Sequence, residues 1–201
     1  MFDRWAFATN PLGVIRLTVQ HDDRFTANGV ALRSPVQDDA APYLVFVPGG
    51  YVIGHDSTWL TAEPVQVNAT DPGVAVRARL DVEANAAFVA EVQSQLASYL
   101  DQCTGQQVLL PTGCPFGQTM GNRITSAPAW SIVTYPAVTL TADVVPGQWT
   151  MPLTPGVAHL VVDVKSLFDG SVSTLDADAG FELGYRAQLQ DDRLTLTPQY
   201  P

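Results

Sequence analysis

The sequence predicts an α+β, β-rich fold: a small all-β, sandwich-like domain followed by one long helix packed on an antiparallel sheet. Short segments in which apolar and polar residues alternate, as in half-buried strands, recur over residues 14–68 and 132–196. Between them, residues 83–102 carry the three- and four-residue apolar spacing of an amphipathic helix. We therefore expect a β-sandwich-like domain over residues 1–72 and a helix-plus-sheet domain over residues 73–201.

The first domain is predicted from four alternating segments separated by turn residues. In the first segment, Ile15, Leu17 and Val19 share one face, as expected of a strand with one side in the core. Turn signals such as Asn28-Gly29 separate the segments, because glycine accepts a positive φ. The predicted strands are residues 14–20, 43–47, 51–53 and 65–68.

The second domain opens with an alternating segment at residues 74–81 and continues into the helix, which Gly105 ends. The apolar stripe of the helix comprises Val89, Val92, Leu96, Tyr99, Leu100 and Cys103. Strands follow at residues 132–135, 138–142, 158–165, 181–190 and 194–196. One apolar face per strand after a single long helix indicates a sheet wrapped on that helix, the plan of cystatin-like and NTF2-like folds.

Composition excludes several classes of protein. Lys and Arg number 10 against 20 Asp and Glu, the net charge is −10, and Lys165 is the only lysine. Because nucleic-acid affinity comes largely from clustered cations, we expect no nucleic-acid partner. No apolar run reaches the roughly 20 residues of a membrane-spanning helix. Phosphate-binding glycine loops and common nucleophile motifs are missing, so no cofactor is expected and an enzyme is the less favoured interpretation.

The two cysteines, Cys103 and Cys114, favour a disulfide that closes a short loop. Two buried free thiols in a cytosolic protein are the alternative. We expect no metal site, because no further ligand lies between the cysteines and the three histidines are scattered singly. A disulfide indicates an oxidising compartment. The amino terminus lacks the features of a signal peptide, so the protein is either cytoplasmic or exported by a segment outside this sequence.

Candidate site residues are few. His159, Asp163 and Lys165 lie at even spacing on one predicted strand and therefore project to the same side, where a carboxylate could orient the imidazole. Glu182 and Arg186 could join them from a neighbouring strand. The alternative is that all of these residues are solvated on the open face of a sheet.

Two further sequence features are candidate binding sites. Asp176-Ala177-Asp178 is similar to the start of a calcium loop, but the twelfth position is Ala187 where a carboxylate is needed, which favours a turn. Trp59 follows a polar loop and is a candidate for stacking on a sugar ring, with core packing as the alternative.

Several segments resemble a family of extracytoplasmic C-terminal domains in actinobacterial single-pass membrane proteins of unknown function. The similar segments include Val47-Pro48-Gly49-Gly50-Tyr51, Leu60-Thr61-Ala62-Glu63-Pro64-Val65, Cys114-Pro115-Phe116-Gly117 and Val133-Thr134-Tyr135-Pro136, together with the helix ending at Cys103. The resemblance implies an exported, disulfide-bonded domain anchored by an upstream transmembrane helix. It implies no catalytic residues.

These observations predict a non-enzymatic, extracytoplasmic binding or structural module of the cell envelope, with an envelope protein or a glycan as its partner. One alternative is a small-molecule binder or enzyme with an NTF2-like pocket lined by Phe88, Val92 and Tyr99. The other alternative is a carbohydrate-binding module that uses Trp59.

Overall fold

A computed structural model describes residues 7–190 and 192–200 of the chain. Of these described residues, 54% lie in strands and 10% in helix, and their strands form three sheets, one of them a half-barrel. In chain order the elements are β1 Leu12–Gln20, β2 Arg24–Ala27, β3 Val30–Arg33, β4 Ala40–Phe46, β5 Gly49–Asp56, β6 Leu60–Ala69, β7 Ala75–Asp81, β8 Glu83–Ala84, α1 Ala86–Thr104, β9 Arg123–Ile124, β10 Ala129–Thr134, β11 Thr141–Ala142, β12 Gln148–Lys165, β13 Val172–Gln190 and β14 Arg193–Gln199.

The predicted α+β class, with a long helix on a sheet in a cystatin- or NTF2-like plan, is wrong. Helix α1 holds 19 residues, whereas β12 and β13 alone hold 18 and 19. These two strands extend well beyond the predicted segments at 158–165 and 181–190. Side-chain alternation weakens in the added parts, but the backbone hydrogen bonds of a sheet do not depend on apolar side chains.

The first compact unit comprises, among the described residues, 7–86 and 142–148. It contains a three-stranded sheet in the order β4-β1-β7 and a five-stranded sheet in the order β3-β2-β5-β6-β8. Ile15, Leu17 and Val19 are buried, as the alternation of β1 predicts. The sandwich-like character of the fold is confirmed. Strand β7 pairs in parallel with β1, so this unit extends beyond the predicted boundary at residue 72.

The second compact unit comprises residues 87–141 and 149–200 among those described. Its sheet runs in the order β10-β12-β13-β14, and the short strands β9 and β11 also pair with β12. Helix α1 buries one stripe, formed by Phe88, Val92, Leu96, Leu100 and Cys103. The Phe88 ring meets the Trp149 ring edge-on, with centroids 6.0 Å apart. Aromatic packing therefore fills the space beside the start of the helix.

The predicted disulfide is confirmed: Cys103 and Cys114 are bonded, with Cα atoms 5.8 Å apart. Cys103 lies in the last turn of α1 and is buried, so the bridge ties the end of the helix to the loop that follows. Within the described residues no helix is long and apolar enough to cross a membrane.

Candidate functional site

Three arginines lie together on the outer side of the three-stranded sheet of the first unit. Because Ile15 and Leu17 of β1 point into the core, Arg16 between them points outward. The parallel register places Arg16 directly opposite Arg77 of β7, and Thr18 opposite Arg79. We call Arg16, Thr18, Arg77 and Arg79 the arginine face.

The arginines of the arginine face differ in whether an acidic side chain neutralises their positive charge. Arg79 donates from Nε to a carboxylate oxygen of Asp81 at 2.7 Å and from its terminal nitrogen to the side-chain oxygen of Gln20. The side chains of Arg16 and Arg77 make no hydrogen bond or ion pair with any residue that the structure describes. Like charges directly opposite one another destabilise a sheet, so this pair does not hold the strands together.

The arginine face borders a surface groove of about 460 Å³, lined by its four residues together with Ala40 and Ala78. A guanidinium group offers several N–H donors in a fixed plane and binds carboxylate or phosphate through two parallel hydrogen bonds. Two such groups on adjacent strands, whose backbones lie about 5 Å apart, can therefore hold one anion between them or two successive anions of a polymer.

A second polar cluster surrounds His55, which is buried at the end of β5. The Nδ1 atom of His55 lies 2.8 Å from the carbonyl oxygen of Arg24, and its Nε2 atom lies 3.2 Å from the hydroxyl of Ser57. A carbonyl oxygen only accepts, so Nδ1 of His55 donates to Arg24. The Ser57 hydroxyl lies between two partners, Nε2 of His55 and the carbonyl oxygen of Leu60, at 3.2 Å from each. The carboxylate of Asp22 lies 3.9 Å from Nε2 and takes a forked set of hydrogen bonds from Arg24 at 2.8–3.2 Å.

Burial works to raise the pKa of Asp22, but the hydrogen bonds and positive charge of Arg24 outweigh it and hold the pKa below its ordinary value. A groove of about 380 Å³ lies beside the cluster, lined in part by Arg24, His55 and Ser57. The hydroxyl of Ser57 also accepts from the backbone N–H of Leu60 at 3.1 Å and closes the turn between β5 and β6. Ser57, the hydroxyl residue that could act as a nucleophile beside His55, thus stabilises the β5–β6 turn.

The residues predicted around His159 are arranged differently from the sequence prediction. His159 contacts two carboxylates of β13, with its Nδ1 2.8 Å from Asp178 and its Nε2 3.3 Å from Asp176. Asp163 instead accepts a hydrogen bond from the hydroxyl of Thr174 at 2.7 Å. A catalytic role for His159, Asp163 and Lys165 stays a prediction.

Asp176 and Asp178 were predicted to lie in a turn, and they lie within strand β13. Their even spacing puts both carboxylates on one face, and this parity was visible in the sequence. The contact with His159 could not be predicted from the sequence, because it depends on how far the β12–β13 hairpin extends.

Trp59 lies between β5 and β6 and is half-buried. A sugar-binding role for this residue stays a prediction. The arginine face was missed by the sequence analysis, although Arg77 and Arg79 share the outward parity of β7. The missing information was the parallel pairing of β7 with β1.

Within 7–190 and 192–200, no three histidine, cysteine or acidic side chains are grouped as metal ligands would be. No protein-family model matches this chain, and no curated protein and no solved structure matches it either.

Proposed function

We propose that this protein is a non-enzymatic binding module of the cell envelope, located outside the cytoplasm, and that its arginine face binds an anionic envelope ligand. The ligand class is a polymer that carries phosphate or carboxylate groups, such as an acidic glycan.

The observation that carries the proposal is the placement of Arg16 directly opposite Arg77, with no carboxylate partner for either among the described residues. The chain has twice as many acidic as basic residues, so carboxylates were available to neutralise this pair. An exposed, uncompensated pair of guanidinium groups costs stability in the free protein and gains favourable interactions when an anion binds.

The proposed compartment is supported by the disulfide. Bonds between cysteines persist in oxidising compartments and are rare in the cytoplasm. Free-thiol titration of denatured, unreduced protein from its native source tests the compartment. We expect no titratable thiol, and two titratable thiols would overturn the extracytoplasmic assignment.

Binding of two anionic polymers, polyphosphate and polygalacturonate, tests the arginine face. We expect the Arg16→Gln/Arg77→Gln variant to lose about tenfold or more in affinity, because each guanidinium removed takes away a charge-assisted hydrogen-bonding group. Binding should also weaken as salt is raised, since exposed charges are screened. The two polymers distinguish phosphate from carboxylate recognition.

Arg193→Gln is the matched control, because it removes one exposed positive charge from β14 in the other unit. We expect it to change the affinity little. If the double variant binds both polymers as tightly as the natural chain, or if Arg193→Gln weakens binding as much, the arginine face is not the binding surface.

The alternatives receive less support. Phe88 and Val92, which would line an NTF2-like pocket, are fully buried, and Trp149 packs on Phe88. A Trp59-dependent signal on a glycan array would favour the carbohydrate alternative. Ester hydrolysis that Ser57→Ala abolishes would favour an enzyme using the groove beside His55.

A further inference from the structure

The hairpin that joins β12 to β13 presents two large apolar side chains to solvent. Leu167 is 73% exposed and Phe168 is 99% exposed. The next strand begins with Val172, which is 65% exposed. We call residues 166–172 the hairpin tip. Burying side chains of this size is normally favourable, so two adjacent ones at a protruding turn indicate a surface that is covered in use.

The backbone of the hairpin tip is held by its own hydrogen bonds. The Ser166 hydroxyl accepts from the N–H of Phe168 at 3.2 Å and of Asp169 at 3.4 Å. Asp169 accepts from the hydroxyl of Ser171 at 2.7 Å and from its N–H at 3.1 Å. The N–H of Gly170 donates to the Ser166 carbonyl at 3.1 Å. Leu167 and Phe168 are therefore displayed by an ordered turn.

Positive charge lies directly beside the tip. Lys165, the only lysine of the chain, ends β12 and is paired in register with Arg123 of β9. Ile124, next to Arg123, is 39% exposed and adds to the apolar surface. The hydrogen bonds from Ser171 hold the pKa of Asp169 at about 2, so this carboxylate is the negative group at the tip.

We propose that the hairpin tip inserts Leu167 and Phe168 into the interfacial region of a lipid bilayer that contains anionic lipids, with Lys165 and Arg123 at the headgroups. An exposed pair of apolar side chains flanked by cations is complementary to a bilayer of anionic lipids. The apolar side chains would contact the acyl chains, and the cations would contact the negatively charged headgroups. This inference is independent of the arginine face, which lies in the other unit.

The net charge of the chain does not prevent this contact. The net charge of −10 repels an anionic surface at long range, but screening limits such repulsion to about 8 Å at physiological salt. Lys165 and Arg123 offset Asp169 at the tip, and Asp163, two residues before Lys165 on β12, accepts a hydrogen bond from the Thr174 hydroxyl.

Vesicle co-sedimentation tests the proposal with the full chain. The probes are vesicles of phosphatidylcholine alone and of equal parts phosphatidylcholine and phosphatidylglycerol. We expect binding to the anionic vesicles, and a loss of about tenfold or more in partitioning for Leu167→Ser/Phe168→Ser, because the apolar area that enters the bilayer is removed. Both residues are exposed, so the variant should fold as the natural chain does.

The matched control is Val144→Ser/Val145→Ser, which alters another pair of adjacent exposed apolar residues, 93% and 48% exposed. We expect this variant to bind vesicles as the natural chain does. Lys165→Gln/Arg123→Gln should weaken binding to anionic vesicles by about fivefold per charge. Leu167→Ser/Phe168→Ser should bind polyphosphate and polygalacturonate as the natural chain does, which separates this proposal from the proposed function.

A direct readout of insertion is the Phe168→Trp variant. Its added tryptophan emission should shift to shorter wavelength on anionic vesicles and should be quenched by lipids brominated on their acyl chains. Failure of the natural chain to bind either vesicle overturns the proposal. Equal binding by Leu167→Ser/Phe168→Ser, or an equal loss in Val144→Ser/Val145→Ser, overturns it as well.

Discussion

Asp22 is the residue that holds the most concentrated polar network of the first unit together. Its side chain is only 10% exposed, and Arg24 surrounds it with hydrogen bonds from the guanidinium and from the backbone N–H. His55 completes the cluster and joins Arg24 to Ser57. A buried polar network of this kind stabilises when every member is satisfied and destabilises when one is removed.

Asp22→Asn should therefore lower the free energy of unfolding by about 1.5–3 kcal/mol at pH 7, because Arg24 loses its charged acceptor. Urea unfolding measures the change. Asp23→Asn is the matched control, since the adjacent Asp23 pairs with Arg33 at 3.0 Å in a more exposed position. An exposed ion pair contributes about 0–1 kcal/mol, so the control should change stability little.

The stabilisation that Asp22→Asn removes should decrease as the pH falls. The pKa of Asp22 is held below 3.8, so its contribution is complete above about pH 4 and is lost as the pH falls through the lowered value. The difference in stability between the natural chain and Asp22→Asn should thus shrink below pH 4. A difference that stays constant down to pH 2 would contradict this role of Asp22.

At the scale of elements, the long strands β12 and β13 need close backbone approach, and Gly184 allows it. A Cβ atom at Gly184 would lie 2.7 Å from the carbonyl oxygen of Met151 and 3.2 Å from the backbone nitrogen of Leu153. Both are main-chain atoms of β12, which cannot turn aside as a flexible side chain can. Glycine in a strand interior often marks such an approach.

Gly184→Ala should destabilise the protein by about 1–3 kcal/mol or more, as overpacking does in a filled interior. Gly180→Ala in the same strand is the control, because nothing lies within 4 Å of its added Cβ. Its effect should stay within about 0.5 kcal/mol. Thermal unfolding of the two variants compares them, and equal melting temperatures would exclude the close approach at Gly184.

The disulfide acts on the end of helix α1. The two cysteines are separated by 11 positions, so the bond removes conformational freedom from a short loop of the unfolded chain. Reduction should lower the free energy of unfolding by about 2–3 kcal/mol on this account. Urea unfolding with and without reductant measures it. The Cys103→Ala/Cys114→Ala variant should not respond to reductant, and a natural chain that is equally insensitive would contradict the prediction.

At the scale of the whole molecule, the few cations are concentrated. Of ten lysines and arginines, three lie on the arginine face and two beside the hairpin tip. The remaining surface of an acidic chain keeps the protein soluble and repels non-specific anions. Positive charge is thus placed at the two surfaces for which we propose partners.

Local parts of the fold could be predicted because they depend on neighbouring residues. The alternation of Ile15, Leu17 and Val19 predicted the buried face of β1, and the spacing around Val92 and Leu96 predicted most of helix α1. The α+β class was wrong because β12 extends through Pro152 and Pro155, and β13 extends through the acidic segment at residues 176–178. In those stretches, backbone hydrogen bonds between strands decide the structure, and no side-chain pattern reports them.

The sequence by itself determined the acidic charge, the parity of side chains along each strand and the place of the helix, and it favoured a disulfide between Cys103 and Cys114. Only the tertiary structure decided which strands are neighbours and in what register. That register brings Arg77 beside Arg16 and Asp178 beside His159. The physical reason is that alternation is a property of one strand, whereas a site is made by residues distant in sequence whose pairing the whole sheet sets.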